Sequence, residues 1–396
     1  MRVPTLQTSR QTLDAISTRQ AEQARLQNRI ASGLRVQSPG DDPAAAAQAE
    51  LARSRLAHIA QDQRATQLAA SVLTTADGAL AQGTDLLQAA RETLVAAGNG
   101  GYNLVDRQAL ALQLRNTREQ LLKLANSGDG AGGYVFGGQG SPVAPLTGTM
   151  TPTYDPAAGT QRVGENADYE ATVDGEAVFM NIPQGNGVFA TSSAPANTGT
   201  GWIGAGSVVD AARLTGHDYA VTIGGTAAAP TYTVTDTTAG TAVASNVTFS
   251  DGAVIEIDGQ RVQIHGKPAP GDSFGLAPAG RQSVFATLDQ AIALLEGNPT
   301  NAAYNQGLER VHASLDRALD GVVLARAHVG EALRGVDAGS ASNQQETLSV
   351  TTRRSGLEDL DLAEAISQLQ NSQVATEAAL RTYASTARKS LFDLLG

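Results

Sequence analysis

Both ends of the chain carry the same helical stripe, and its spacing limits what the chain can become. Stepping alternately by three and four residues gives Leu6, Ser9, Leu13, Ile16, Gln20, Gln23, Gln27, Ile30 and Leu34 near the N-terminus. The same step near the C-terminus gives Leu362, Ile366, Leu369, Gln373, Thr376, Leu380, Tyr383, Ala387, Ser390 and Leu394. Each is a heptad seam with apolar ends and a polar centre. The shared design predicts that the two end helices pair with each other, so the chain must return to where it began. A polar residue at a seam position trades stability for register. Such helices are expected to be marginal in a monomer and to become ordered in an assembly.

Inside the end helices the pattern strengthens. Pro39, Gly40 and Pro43 break the first helix. Asp42 then reads as an N-cap, with Pro43 at the first helical position. A long helix is expected from Pro43 to about Ala97, carrying Leu73, Ala76, Leu80, Gly83, Leu87, Ala90 and Leu94 at seam spacing. Another is expected from Asp106 to Ala125. In the second half, Leu308, Val311, Leu315, Ala318, Val322, Ala325, Val329, Ala332 and Val336 form a regular apolar seam. A break is expected at Ser355–Gly356, and Asp361 with Glu364 reads as a capping box for the last helix. Aromatic residues make up only 4% of the chain. The core must therefore be built of Ala, Leu and Val, which suits closely packed helices.

The middle changes composition abruptly to Gly, Thr, Ala and Pro. Alternating runs at 219–223, 231–235, 254–257 and 262–265 read as strands, with Asp258-Gly259 as a hairpin signal. Residues 141–280 hold 13 Asp or Glu and 4 Lys or Arg, and so carry −9 of the net charge of −11. The reading is a mainly α fold with an inserted β domain, its long-helix coiled-coil rod formed by the N- and C-terminal segments. Residues 1–40 and 357–396 form the terminal helices, 41–140 and 281–356 the helical rod, and 141–280 a solvent-facing β-rich insert.

Catalytic chemistry is searched for and not found. The chain has no cysteine, which excludes thiolate metal sites, disulfides and a cysteine nucleophile. His58, His217, His265, His312 and His328 are not spaced as metal ligands. The glycine-rich run 132–138 lacks the phosphate-loop lysine and the strand–loop–helix order. The acidic pairs at Asp41-Asp42 and Glu358–Asp361 precede helices, so capping explains them better than acid–base chemistry. Asn246-Val-Thr248 is a formal glycosylation sequon, a three-residue match in a Thr-rich region. The net negative charge argues against nucleic acid and anionic membrane as partners. Neither a cleaved signal peptide nor an 18-residue apolar run is visible. The expectation is a non-enzymatic protein without cofactor or metal.

Motifs at both ends carry a resemblance. Met1-Arg2-Val3 before the first seam, Ile30-Ala-Ser-Gly-Leu-Arg-Val36, and Ser38-Pro-Gly-Asp-Asp-Pro-Ala44 resemble the flagellin superfamily, whose first two helices join at S-G-x-R-[IV] and D-D-P-A. Four further segments resemble its hook–filament junction branch: Leu357–Ile366, Ser390–Leu395, Gly133-Tyr-Val-Phe-Gly-Gly138 and Pro268-Ala-Pro-Gly-Asp-Ser-Phe274. The leucine-rich L-x-L-L-R ending of flagellins is absent, although a flagellin filament subunit remains the alternative reading. An adhesin or an enzyme housed in the insert is the third.

The resemblance implies an extracellular structural part of the bacterial flagellum, self-assembling into a ring. Its neighbours would be the first hook-associated protein on the hook side and flagellin on the filament side. It implies passage through the flagellar type III export apparatus without a cleaved signal peptide, and a cytoplasmic export chaperone covering the C-terminal helix. Leu380, Tyr383, Leu391 and Leu394 are placed in that chaperone contact, because a free amphipathic helix needs its stripe hidden. The assembly interface is assigned to Leu6, Leu13, Ile16, Gln20, Gln23, Gln27, Ile30 and Leu34, with Leu362, Ile366, Leu369, Gln373, Leu380, Tyr383 and Leu394. Hydrogen exchange on the free monomer should then be fast over residues 1–34 and 362–396 and slow over 308–336. Strong protection of the ends in a verified monomer would contradict the polar-seam reading.

Overall fold

The computed structural model describes residues 3–130, 132–138, 143–148, 152–155, 173–297 and 299–395. Six α-helices frame the chain: α1 (Val3–Ser32), α2 (Pro43–Ala97), α3 (Leu104–Ala125), α4 (Val284–Glu296), α5 (Asn301–Glu358) and α6 (Leu362–Leu395). Among the described residues, thirteen strands lie between α3 and α4: β1 (Leu146–Thr147), β2 (Thr153–Tyr154), β3 (Ile182–Pro183), β4 (Phe189–Ser193), β5 (Trp202–Ile203), β6 (Ser207–Val208), β7 (Tyr219–Thr226), β8 (Ala229–Asp236), β9 (Thr241–Thr248), β10 (Ala253–Ile257), β11 (Gln260–His265), β12 (Ser273–Pro278) and β13 (Arg281–Gln282). The chain divides into two compact units, one of residues 1–64 with 340–396 and one of residues 65–339, and α2 and α5 each contribute to both. These divisions fall inside the two longest helices, whereas the composition reading placed its boundaries at 40 and 357.

In the larger unit the apolar seam of α5 is buried as its spacing predicts. Val311, Leu315, Ala318, Val322, Val329 and Val336 are buried, as are Leu73, Ala76, Leu80, Leu87, Ala90 and Leu94 of α2. Arg326 pairs with Asp77 at 3.1 Å and Arg91 with Asp316 at 2.8 Å, and the Tyr304 hydroxyl donates to the Ala97 carbonyl at 2.8 Å. α3 opens on a full capping box, Asn103 accepting from the Asp106 N–H and Asp106 from the Asn103 N–H. This starts the helix two residues earlier than the apolar pattern indicated. α4 packs on α3, and Arg115 reaches Glu296 at 2.6 Å. The helix break expected at Ser355–Gly356 is corrected. α5 runs on to Glu358, because a single glycine costs a helix only about 1 kcal/mol, and the turn comes just before Asp361.

The helical core extends past residue 141. Val135 and Phe136, from the glycine-rich run, are fully buried in it. Phe136 meets Phe179 edge-on, with ring centroids 5.1 Å apart. Leu146, Val173, Val178 and Ile182 complete the same cluster. The Tyr154 hydroxyl donates to the Phe136 carbonyl and accepts the Gly175 N–H, and burial pushes its pKa up to about 12.

The β domain proper is entered and left through one neck. β3 pairs with β13, placing Pro183 beside Arg281, and Gln184 donates to the Gly280 carbonyl at 2.9 Å. Beyond it lie a five-stranded antiparallel sheet in the order β4-β12-β7-β8-β9 and a smaller sheet of β10-β11-β5, with β6 also on β11. Together they enclose a second core of Phe189, Ile203, Tyr219, Val221, Ile223, Ile255, Val262, Ile264 and Phe274. β10 and β11 join through Asp258 (φ 43) and Gly259 (φ 82), the two positive φ values that a two-residue type I′ turn requires. At the end of the domain the Asp272 carboxylate accepts the N–H groups of Thr198, Gly199 and Ala269 at 2.8–3.0 Å, which accounts for the Gly-Asp of that motif.

The neck sets the clean excision point. Replacing residues 184–280 by a two-residue turn should leave a folded rod with its helices intact by circular dichroism. Replacing 141–280 should cost an additional ~3–5 kcal/mol or more, the scale of emptying a Phe-sized core site. Equal stability of the two deletions would place the core boundary at 141 after all.

Candidate assembly interface

In the smaller unit α1 packs along α6. The covered stripe of α1 contains Thr12, Ile16, Gln23, Leu26 and Ile30, and Ile16 is its most buried member. The covered stripe of α6 contains Ala365, Leu369, Ser372, Thr376, Ala379 and Tyr383. These stripes share alternate positions with the seams read from sequence: Ile16, Gln23 and Ile30 on one side, Leu369, Thr376 and Tyr383 on the other. Leu34 is half-buried, and the other described seam positions turn outward. Leu13, Gln20, Gln27, Leu362, Ile366, Gln373 and Leu380 are exposed, with Leu362 at 50% and Leu13 at 48%. A single partner helix covers a strip narrower than the apolar face, and small residues (Ala365, Ala379) at the contact favour close approach of the backbones. The side chains of Leu6, Leu391 and Leu394 lie outside the described residues.

The two motif-bearing junctions meet. Leu34 and Asp359 form an antiparallel bridge. Arg35 N–H donates to the Glu358 carbonyl at 2.6 Å, and Leu360 N–H donates to the Gly33 carbonyl at 2.9 Å. Gly33 ends α1 at φ 73, a left-handed conformation that a Cβ disfavours. The Arg35 guanidinium donates to the Leu357 carbonyl at 2.7 Å and reaches Asp42 at 3.4 Å. Val36 is buried. Ser-Gly-Leu-Arg-Val and Leu-Glu-Asp-Leu are therefore two halves of one clip.

Carboxylates hold the turn between α1 and α2. Asp41 accepts the N–H groups of Ser38 and Gln37, the Ser38 hydroxyl and the Arg29 guanidinium. Asp42 Oδ1 accepts the Ala45 N–H at 3.0 Å, with Pro43 opening the helix. These hydrogen bonds, those from the backbone foremost, hold both carboxyls below their ordinary pKa of 3.8. At the start of α6, Asp361 Oδ1 accepts from Ala363 and Glu364, while the Glu364 carboxylate takes the Gln368 amide. α2 is tied to α5 by Arg53 with Glu358 at 2.5 Å, Arg55 with Glu346 at 2.6 Å and Gln63 with Ser340 at 2.8 Å. Glu358 is only 6% exposed. Sequence reasoning took the acidic run at 358–361 for capping alone and missed Arg35, Arg53 and Glu358. A buried carboxylate needs a cation; Arg354, one turn back, stands at 3.9 Å, but the hydrogen-bonded partner Arg53 lies about 300 residues away along the chain. Among the described residues no group of three or more His, Cys, Asp or Glu could hold a metal ion, and no helix is long and apolar enough to cross a membrane.

Comparison with known proteins matches this geometry to one family. The bacterial flagellin N-terminal helical region matches residues 3–141. Flagellar hook-associated protein 3 of Salmonella typhimurium is 27% identical over 100% of this chain and 99% of its own. The crystal structure of the flagellar junction protein FlgL from Legionella pneumophila superimposes with a TM-score of 0.69 at 27% identity, covering 79% of this chain and 100% of that one. FlgL of Xanthomonas campestris (space group H3) is 31% identical, covering 72% of this chain and 94% of its own, with a TM-score of 0.65. This chain belongs to the hook-associated protein 3 family. Flagellins and filament core proteins match over shorter stretches, between 25% and 43% of the chain.

In this hook-associated protein 3 family member the Asp41–Asp42 turn is testable directly. Asp42→Ala should lower the melting temperature, and Asp42→Asn should retain most of it, because an amide oxygen also caps. Both carboxyls have depressed pKa values in the folded chain. Their stabilisation is therefore complete above about pH 4 and is lost as pH falls through those lowered values. A melting temperature that rises with calcium in the parent chain but not in Asp42→Ala would make the turn a metal site instead.

Proposed function

We propose that this chain is a non-enzymatic adaptor that assembles with copies of itself into a ring between the first hook-associated protein and flagellin. One observation carries the reading: correspondence along the entire chain, insert included, to proteins named for association with the flagellar hook. Similarity to flagellins is partial, which disfavours the filament-subunit alternative.

The packing supports how assembly would work. The outward flank of the end helices, with Leu13, Leu362, Ile366 and Leu380 exposed beside Gln20, Gln27 and Gln373, is the surface offered to neighbouring copies. An exposed apolar row flanked by polar groups marks an interaction surface. Burying one Leu-sized side chain is worth about 1.5–3 kcal/mol, so a ring that covers several gains what the polar seam withholds from the monomer. Leu380 and Tyr383, with Leu391 and Leu394, are the contact proposed for a cytoplasmic export chaperone. One helix cannot bury one face against two partners, so the chaperone must leave before the ring forms. Passage through the type III apparatus asks for ends that unfold readily, which a polar-centred pair provides.

Immunogold labelling of purified flagella with an antibody against the β domain distinguishes the two readings. The adaptor reading expects a single labelled zone where hook meets filament. Label along the whole filament would make the chain a filament subunit.

A further inference from the structure

The chain has one tryptophan. Trp202 belongs to neither hydrophobic core. It stands half-buried on β5, opposite His265 of β11, with the two rings stacked at 4.6 Å. Residues Arg261, Gln263 and His265 alternate with the buried Val262 and Ile264, so they share the outer face of the smaller sheet. Glu309 of α5 and the 204–207 segment line the same cleft. The resulting cleft holds about 460 Å³, within the ~300–1,000 Å³ range of small-ligand sites. β5 is fixed on α5 from behind. The buried Gln306 Oε1 accepts the Ile203 N–H at 2.8 Å and the Ser193 hydroxyl at 3.0 Å, which makes the cleft a built feature of the fold.

Its chemistry selects a class of ligand. An indole face attracts the partly positive C–H groups of a flat, weakly polar ring, since the π-face carries negative charge. The Arg261 guanidinium is already committed to Glu256, through Nε at 2.9 Å and Nη2 at 2.6 Å. An arriving anion would therefore meet only Nη1 of a guanidinium already paired with a carboxylate, and would face the Glu309 carboxylate. What remains is a carboxylate that accepts hydroxyls, an amide that both donates and accepts, and an aromatic platform. We propose that the cleft binds a neutral saccharide of one or two rings, packed against the Trp202–His265 pair with its hydroxyls on Gln263 and Glu309.

Because Trp202 is the only tryptophan, its fluorescence reports on this cleft alone. The full chain is titrated with methyl β-glucopyranoside, methyl β-galactopyranoside, maltose and cellobiose, with glucuronate as the anionic control. The expected result is a saturable change in emission with at least one neutral sugar. Glu309→Gln and Gln263→Ala should each weaken that binding by about tenfold, equivalent to ~1.4 kcal/mol, with unchanged melting temperature. No saturable change with any neutral sugar, tighter binding of glucuronate, or affinity indifferent to both substitutions would overturn the proposal.

Discussion

The clip between Gly33–Arg35 and Glu358–Leu360 is the constraint on which the smaller unit depends. Two backbone hydrogen bonds and the Arg35 contact to Leu357 join segments more than 320 residues apart. Closing so long a loop is costly, though each doubling of its length adds only about 0.6 kcal/mol. Within the same unit the closure is supported by the ties between α2 and α5, Arg53 with Glu358, Arg55 with Glu346 and Gln63 with Ser340. The turn residues then need only fix direction: Gly33 by its positive φ, Asp42 and Asp361 by capping.

The end helices obey a different balance. Their covered stripes are narrow and rich in small or polar side chains, while Leu13, Leu362, Ile366 and Leu380 stay in solvent. A monomer built for its own stability would bury these residues. Leaving them outside forgoes about 1.5–3 kcal/mol for each Leu-sized side chain, which supports the proposed role in assembly. The polar centre of each seam limits the register in which the pair can form.

The β domain is independent in its core and dependent at its base. Its second hydrophobic cluster is separate from that of the helices. The segment before the neck belongs to the helical core through Phe136, Val178 and Phe179. Composition changes near residue 141, whereas the core boundary is set by which side chains face the helices. The net charge of the insert suits a domain bathed in solvent.

The sequence alone determined the helical frame, because a repeat of three and four fixes which residues share a helix face whatever the surroundings. It determined the strands around Asp258-Gly259 for the same reason: alternation and a two-residue turn are local. It determined the caps at Asp42 and Asp361, which are read within four residues. Only the tertiary structure decided which flank of each end seam is covered, since two overlapping stripes satisfy the same spacing and the geometry of the partner chooses between them. Only the tertiary structure paired Arg35 with Leu357 and Arg53 with Glu358, and only it carried Phe136 across to Phe179. Those contacts join residues whose meeting depends on the path of the whole chain, and no local pattern encodes that path.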